Sequence, residues 1–262
     1  MMSFIVLLAL VVLFAVYYSF RLSGGYEWIK GNGHVVGVSE DVDSFSQLHV
    51  HHGFEVDIRE GDSTSVTMSL DENLVPYLDV YTELECLHIG LKKDVVIKGG
   101  TLHATVFVKD LNLLKGSGAV IVSVDEKALS RKKFTARLSG ASMLKGCIDT
   151  EEVSIINSGA SGSDLKLTAS KLTLNVQGAS DFKIAGSADD LDLTVGGASS
   201  IRGKNFGASR AKLDLKGASS VKIGVKSHID ISAAGGSDIS ILGNPQKGLY
   251  DLSGTCSVKF KG

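Results

Sequence analysis

From Phe134 onward, apolar and polar residues alternate with a period of two, and a glycine interrupts the alternation every 18 to 20 residues. Before the glycines the apolar positions read Phe134-x-Ala136-x-Leu138, Leu172-x-Leu174-x-Val176, Leu191-x-Leu193-x-Val195, Ala211-x-Leu213-x-Leu215 and Ile229-x-Ile231-x-Ala233. After them the pattern resumes as Phe182-x-Ile184, Val221-x-Ile223, Ile239-x-Ile241 and Val258-x-Phe260. Period two puts alternate side chains on one face of a strand, and the 3.6-residue spacing of a helix is missing. Each unit therefore predicts a strand, a tight corner, a second strand and a second corner, the latter marked by Gly146, Gly186, Gly203, Gly224 and Gly243.

The first corner carries one motif. It reads Gly-Ala-Ser at Gly140, Gly159, Gly178, Gly197 and Gly217, then Gly235-Gly-Ser and Gly254-Thr-Cys, with gaps of 19, 19, 19, 20, 18 and 19 residues. Hairpins seldom hold one length and one corner through so many units. Coils of a β-helix must, because each residue stacks on its equivalent one turn away, about 4.8 Å along the axis. The expectation is all-β, a single-stranded parallel β-helix of about 19 residues per coil, in preference to a meander or sandwich. Glycine at the corner accepts positive φ and lets backbones approach. Ser142, Ser161, Ser180, Ser199, Ser219 and Ser237 would stack as a ladder of hydroxyls bonded to neighbouring backbone, with Cys256 in the last slot. Such repetition, with no histidine recurring beside it, reads as structure and not as a nucleophile.

Upstream, residues 34–115 alternate less regularly: Phe54-x-Val56-x-Ile58 and Val66-x-Met68-x-Leu70 are clear, with turn clusters at Glu60-Gly-Asp-Ser and Asp71-Glu-Asn between them. Gly116-Ser-Gly118 is a looser forerunner of the corner. Residues 1–20 carry no charge and would span about 30 Å as a helix. The expected organisation is a transmembrane or signal-anchor segment (1–21), a linker (22–33) and a β-domain (34–262) whose regular repeats begin at 116. The chain lacks a basic n-region and a strong cleavage site, which favours an uncleaved anchor over a removed signal. Arg21 and Lys30 just beyond the span would, by the positive-inside tendency, keep the remainder cytoplasmic, a two-charge signal set aside in favour of the family resemblance described below.

The net charge of −2 hides a division: residues 1–110 carry 15 acidic and 7 basic residues, and residues 111–262 carry 14 and 20. A basic repeat region suits an anionic surface or polysaccharide, though a solvated mixed-charge exterior is the simpler reading. No basic run with interleaved aromatics indicates nucleic acid. Cys86, Cys147 and Cys256 form no C-x-x-C pair and no disulfide framework. His49 and His51 share a strand face but lack a third ligand for a metal, so no metal or cofactor is expected. Acids in the repeats are scattered, with one cluster at Asp189, Asp190 and Asp192. No pair is marked as the two carboxyls that glycoside hydrolysis needs.

In order along the chain come Phe45-x-x-Leu48-x-Val50, a Val56-x-Ile58 strand, an acidic turn, Asp71-Glu-Asn-Leu74, Leu87-His-Ile89, the serial Ser-Gly-Ala-Ser corners and Gly243-Asn-Pro245. That ordered set resembles the autotransporter-adhesin head domain called the GIN domain, over about residues 34–262. The resemblance implies a β-helix of the pectin-lyase type without catalytic residues, exported in a bacterial envelope, with adhesion as the proposed role. The apolar N-terminus, anchored in appearance, departs from the ordinary signal or lipobox of such proteins. The resulting expectation is a non-enzymatic, membrane-anchored module in the periplasm or on the cell surface. Surface polysaccharide or protein would be its ligand, and a homo-oligomer could form through stacked terminal coils. A carbohydrate-active envelope enzyme on the same scaffold is the alternative.

Overall fold

The structure, a computed structural model, describes residues 27–261. The expected membrane or signal-anchor segment, 1–21, lies outside the described residues. Among those described, no helix is long and apolar enough to cross a membrane.

From Leu113 to Lys261 the chain winds as a β-solenoid of about eight turns. Every neighbouring pair in this region is parallel. Two sheets result. The first takes the strand before each Gly-Ala-Ser corner, such as Lys133–Leu138 and Glu152–Asn157; the second takes the strand after it, such as Met143–Asp149. Apolar residues stack in columns inside. Ala136, Ile155, Leu174, Leu193, Leu213 and Ile231 share one register position in the first sheet. Phe182, Ile201, Val221 and Ile239 share one in the second. All are at most 2 % exposed, and burying each contributes roughly 1.5–3 kcal/mol, alanine excepted. One polar pair interrupts this core. Asn157 Nδ2 donates to Ser163 Oγ across 3.1 Å, and Asn157 Oδ1 is buried without a partner.

The return bend between coils differs from the expected glycine corner. Gly146, Gly186 and Gly243 do have positive φ, but Gly203 and Gly224 do not. The strands run through the bend unbroken, as in Gly162–Val176 and Asp181–Gly197. A buried small residue (Thr150, Ala169, Ala188, Ala208) is followed by two outward residues before the next inward one. That one-residue slip in the alternation turns the chain without breaking its hydrogen-bond ladder.

The N-terminal part is not wound in chain order. Strand Gln47–Val50 lies between Cys86–Leu91 and Leu113–Gly116, and Glu55–Glu60 lies between Leu102–Val108 and Ile121–Val124. The chain thus builds one coil, steps outward to build the coil beneath it, and returns to continue upward. Antiparallel strands close this end: Ser65–Asp71 beside Leu102–Val108, Val35–Glu40 beside Ser65–Asp71, and Leu78–Glu83 beside Cys86–Leu91. The 3-10 helix Glu72–Tyr77 buries Leu74 completely. Asp71-Glu-Asn-Leu74 is the fastening of this cap. Asp71, 1 % exposed, accepts from the amides of Gly33 and Thr101, while Asn73 donates to the Lys30 carbonyl and accepts from the Asn32 amide. Covering the edge strands this way blocks pairing with another sheet.

Candidate functional site

The seven corner glycines and their forerunner Gly118 form one column, with φ between +76° and +101°. Each glycine carbonyl accepts the amide of the residue after the next glycine, as in Ala179 N to Gly159 O at 2.9 Å and Ala198 N to Gly178 O at 2.8 Å. The same carbonyls face the serine hydroxyls of the next coil, from 3.2 Å (Ser199, Ser237) to 3.4 Å (Ser161, Ser180). Ser161, Ser180 and Ser199 also reach the carbonyl three residues back in their own coil, at 2.7–3.0 Å, the contact that Ser142 makes at 2.8 Å. One proton is therefore shared between two carbonyls, and the shorter contact stays within the coil. Ser219 touches Gly197 O at 3.3 Å. Cys256 occupies the same slot, 3.2 Å from Ser253 O and 3.6 Å from Gly235 O. These serines are 1–2 % exposed and offer nothing to a ligand.

Outward side chains of the two sheets are different in charge. On the first sheet signs alternate along the stack: Lys171 beside Asp190 beside Arg210, and Asp192 beside Lys212 beside Asp230. Asp190 accepts from Arg210 Nε and Nη2, each at 2.6 Å, and this hydrogen bonding holds its carboxyl below the usual carboxylate range. Within the expected acidic cluster, Asp190 is thus a fixed anion in an ion-pair ladder. His228 lies 3.3 Å from Asp230 in the same shallow depression of about 250 Å³.

On the second sheet, Lys145, Asp164, Lys183, Arg202 and Lys222 occupy one outward column. Ser240 and Lys259 continue it. Beside it opens a groove of about 540 Å³, whose lining holds Lys166, Lys183, Arg202, Lys204 and Lys222 with a single carboxylate, Asp164. Lys183 Nζ pairs with Asp164 at 2.8 Å, and Arg202 pairs with Asp181. The groove opens at the coil between Gly197 and Gly217, which is the longest of those from Gly140 onward. Its extra length is a bulge between Gly203 and Gly207 that buries Phe206 and turns Lys204 and Asn205 outward. A 20-residue gap among 19s was the sequence signal for it.

A third cluster extends the shared face of His49 and His51 with His88 and Tyr81, which the sequence left isolated. Parallel register sets His88 beside His49, and antiparallel register sets Tyr81 beside His88. The rings run Tyr81–His88–His49–His51–His52, with centroids 4.6, 5.3, 5.4 and 4.4 Å apart. Burial, reinforced by neighbouring histidines, depresses His51 to about 4, and burial lowers His49 and His52 as well. His52 Nδ1 accepts the Leu91 amide at 3.1 Å. No three groups among the described residues converge as metal ligands.

The architecture places the chain in the class of parallel β-solenoids with an antiparallel cap, and solved structures share it. A "putative adhesin" from Parabacteroides merdae matches with a TM-score of 0.79 at 15 % identity, over 90 % of this chain and 100 % of that one. A "putative lipid binding protein" from Parabacteroides distasonis matches at 0.77 and 14 %, over 90 % and 100 %. A "putative adhesin" from Bacteroides fragilis matches at 0.65 and 18 %, over 89 % and 99 %. No curated protein matches. The model of the family described as "Putative auto-transporter adhesin, head GIN domain" matches residues 44–245, and the chain belongs to that family.

Proposed function

We propose that this protein is a non-enzymatic, extracytoplasmic binding module, held at a membrane by its N-terminal segment and presenting the solenoid as a rigid adhesive rod. The observation that carries this reading is the basic outward column of the second sheet, registered coil by coil beside an open groove. Such a surface engages an extended partner through many weak contacts whose strengths multiply. Three of the repeat acids that a carbohydrate-active enzyme could draw on are paired with cations: Asp164 with Lys183, Asp181 with Arg202, Asp190 with Arg210. A carboxyl held low by a guanidinium is a poor proton donor. The test is adherence. Bacteria producing the full chain should fractionate it with the membrane, expose it to protease added to intact cells, and adhere to polysaccharide- or matrix-coated surfaces better than cells without it. A chain confined to the cytoplasm, or no gain in adherence, refutes the proposal.

A further inference from the structure

We infer that the groove beside the Lys204–Asn205 bulge binds an acidic polysaccharide, recognising carboxylate or sulfate groups spaced along an extended sugar chain. The inference rests on the binding-module reading and names its ligand.

The charge arrangement is the first argument. Lys183, Arg202 and Lys222 are stacked in consecutive coils, about 4.8 Å apart. Like charges opposite one another in a sheet are destabilising. The fold does not require this, since the first sheet alternates signs at equivalent depth. Asp164 and Asp181 relieve Lys183 and Arg202, but Lys166, Lys204 and Lys222 have no ion-pair partner among the described residues. The three unrelieved cations surround one groove. They set up a local positive potential that an anionic ligand would discharge.

Shape is the second argument. The column from Lys145 to Lys259 crosses six coil steps, roughly 29 Å, and cations hold five of its seven places, interrupted by Asp164 and Ser240. The groove is shallow and its floor is Leu165, Ile184 and the small Ala185, with no aromatic in the lining. A polymer lying along the stack fits this better than a small molecule in a pocket. Cations repeating at the coil rise match acidic groups repeating at about the length of one sugar. A neutral glycan would leave the cations unused. A single-stranded nucleic acid would lack the stacking platforms it needs. A bilayer would want apolar side chains beside the lysines, and the large exposed ones, such as Trp28, Leu84 and Leu249, lie outside this groove.

The experiment measures binding of the full chain, in detergent micelles, to immobilised polygalacturonate, dextran sulfate and neutral dextran, and to phosphatidylglycerol vesicles. Binding to polygalacturonate, dextran sulfate or both is expected, weakening steeply with salt and absent on dextran; which of the two binds identifies carboxylate or sulfate as the group read. Lys204→Glu with Lys222→Glu should weaken it by at least about 10-fold, while Lys127→Glu with Lys132→Glu, the same change in net charge away from the groove, should stay within about 2-fold. Circular dichroism melting confirms that both pairs fold. Equal losses in the two pairs, binding to vesicles alone, or no binding to either polyanion overturns the inference. Cells that adhere without competition from soluble polyanion overturn it too, and leave the binding-module reading intact.

Discussion

Gly178 sits at the repeat corner with φ +91°, and a methyl group built there would lie 2.5 Å from the Gly159 carbonyl oxygen. Alanine at 178 is therefore penalised twice. Holding an L-residue at that φ costs about 1–2 kcal/mol. The carbonyl must also retreat, and it is the acceptor for Ala179 N at 2.9 Å and for Ser180 Oγ at 3.4 Å. Weakening both bonds costs about 1 kcal/mol each. The total for Gly178→Ala is about 3–4 kcal/mol, and Gly178→Val adds roughly another for its branched Cβ. Gly53 provides the control. Its φ is +82°, yet nothing lies within 4 Å of a Cβ built on it. Gly53→Ala should lose only the conformational part, about 1–2 kcal/mol. Urea titrations of the full chain in micelles, followed by far-ultraviolet circular dichroism, measure the difference. Equal losses at the two positions would show that φ alone, and not the closeness of stacked coils, makes the corner glycine obligatory.

Ser180→Ala should cost about 1 kcal/mol by removing a buried hydroxyl shared between two carbonyls, whereas Cys256→Ser should be neutral or slightly stabilising in the same titration, since that slot already has serine geometry. Asn157→Val combined with Ser163→Ala should raise stability by about 1–2 kcal/mol, because it removes a buried oxygen that has no partner; a lower melting temperature would mean the pair is satisfied in some other way. Acid should weaken the fold through His51. Its pKa falls to about 4 in the fold against about 6.5 unfolded, so the unfolded chain binds the proton more tightly. The contribution is complete above pH 6.5 and is lost as the pH drops toward 4. His51→Gln should therefore flatten the melting-temperature profile across that window, and a variant as acid-sensitive as the parent would remove His51 from the account.

The repeat corner could be read from the sequence because two separate demands, positive φ and backbone contact with the coil below, both select glycine. The inward columns were equally plain, since stacked strands must repeat their apolar phase. The return bend was misread at Gly203 and Gly224 because it is made by successive outward residues such as Ser170-Lys171 and Asp189-Asp190, which look like ordinary surface. The capping role of Asp71-Glu-Asn-Leu74 was hidden because its partners Lys30, Gly33 and Thr101 are remote in sequence. His88 likewise meets His49 only through a pairing of strands 39 residues apart. The basic groove was half legible. The charge excess and the 20-residue gap were both visible, but only the register shows Lys183, Arg202 and Lys222 in line.

The out-of-order winding at the N-terminal end has an evolutionary corollary. A duplication there would have to thread between coils already in place, so that end is frozen. Between Gly140 and Gly197 the units pair without a register shift, so gaining or losing one 19-residue segment there keeps the columns aligned and changes the solenoid by about 4.8 Å. The length of the solenoid can thus change in small fixed increments, without redesigning either its capped end or its outer faces.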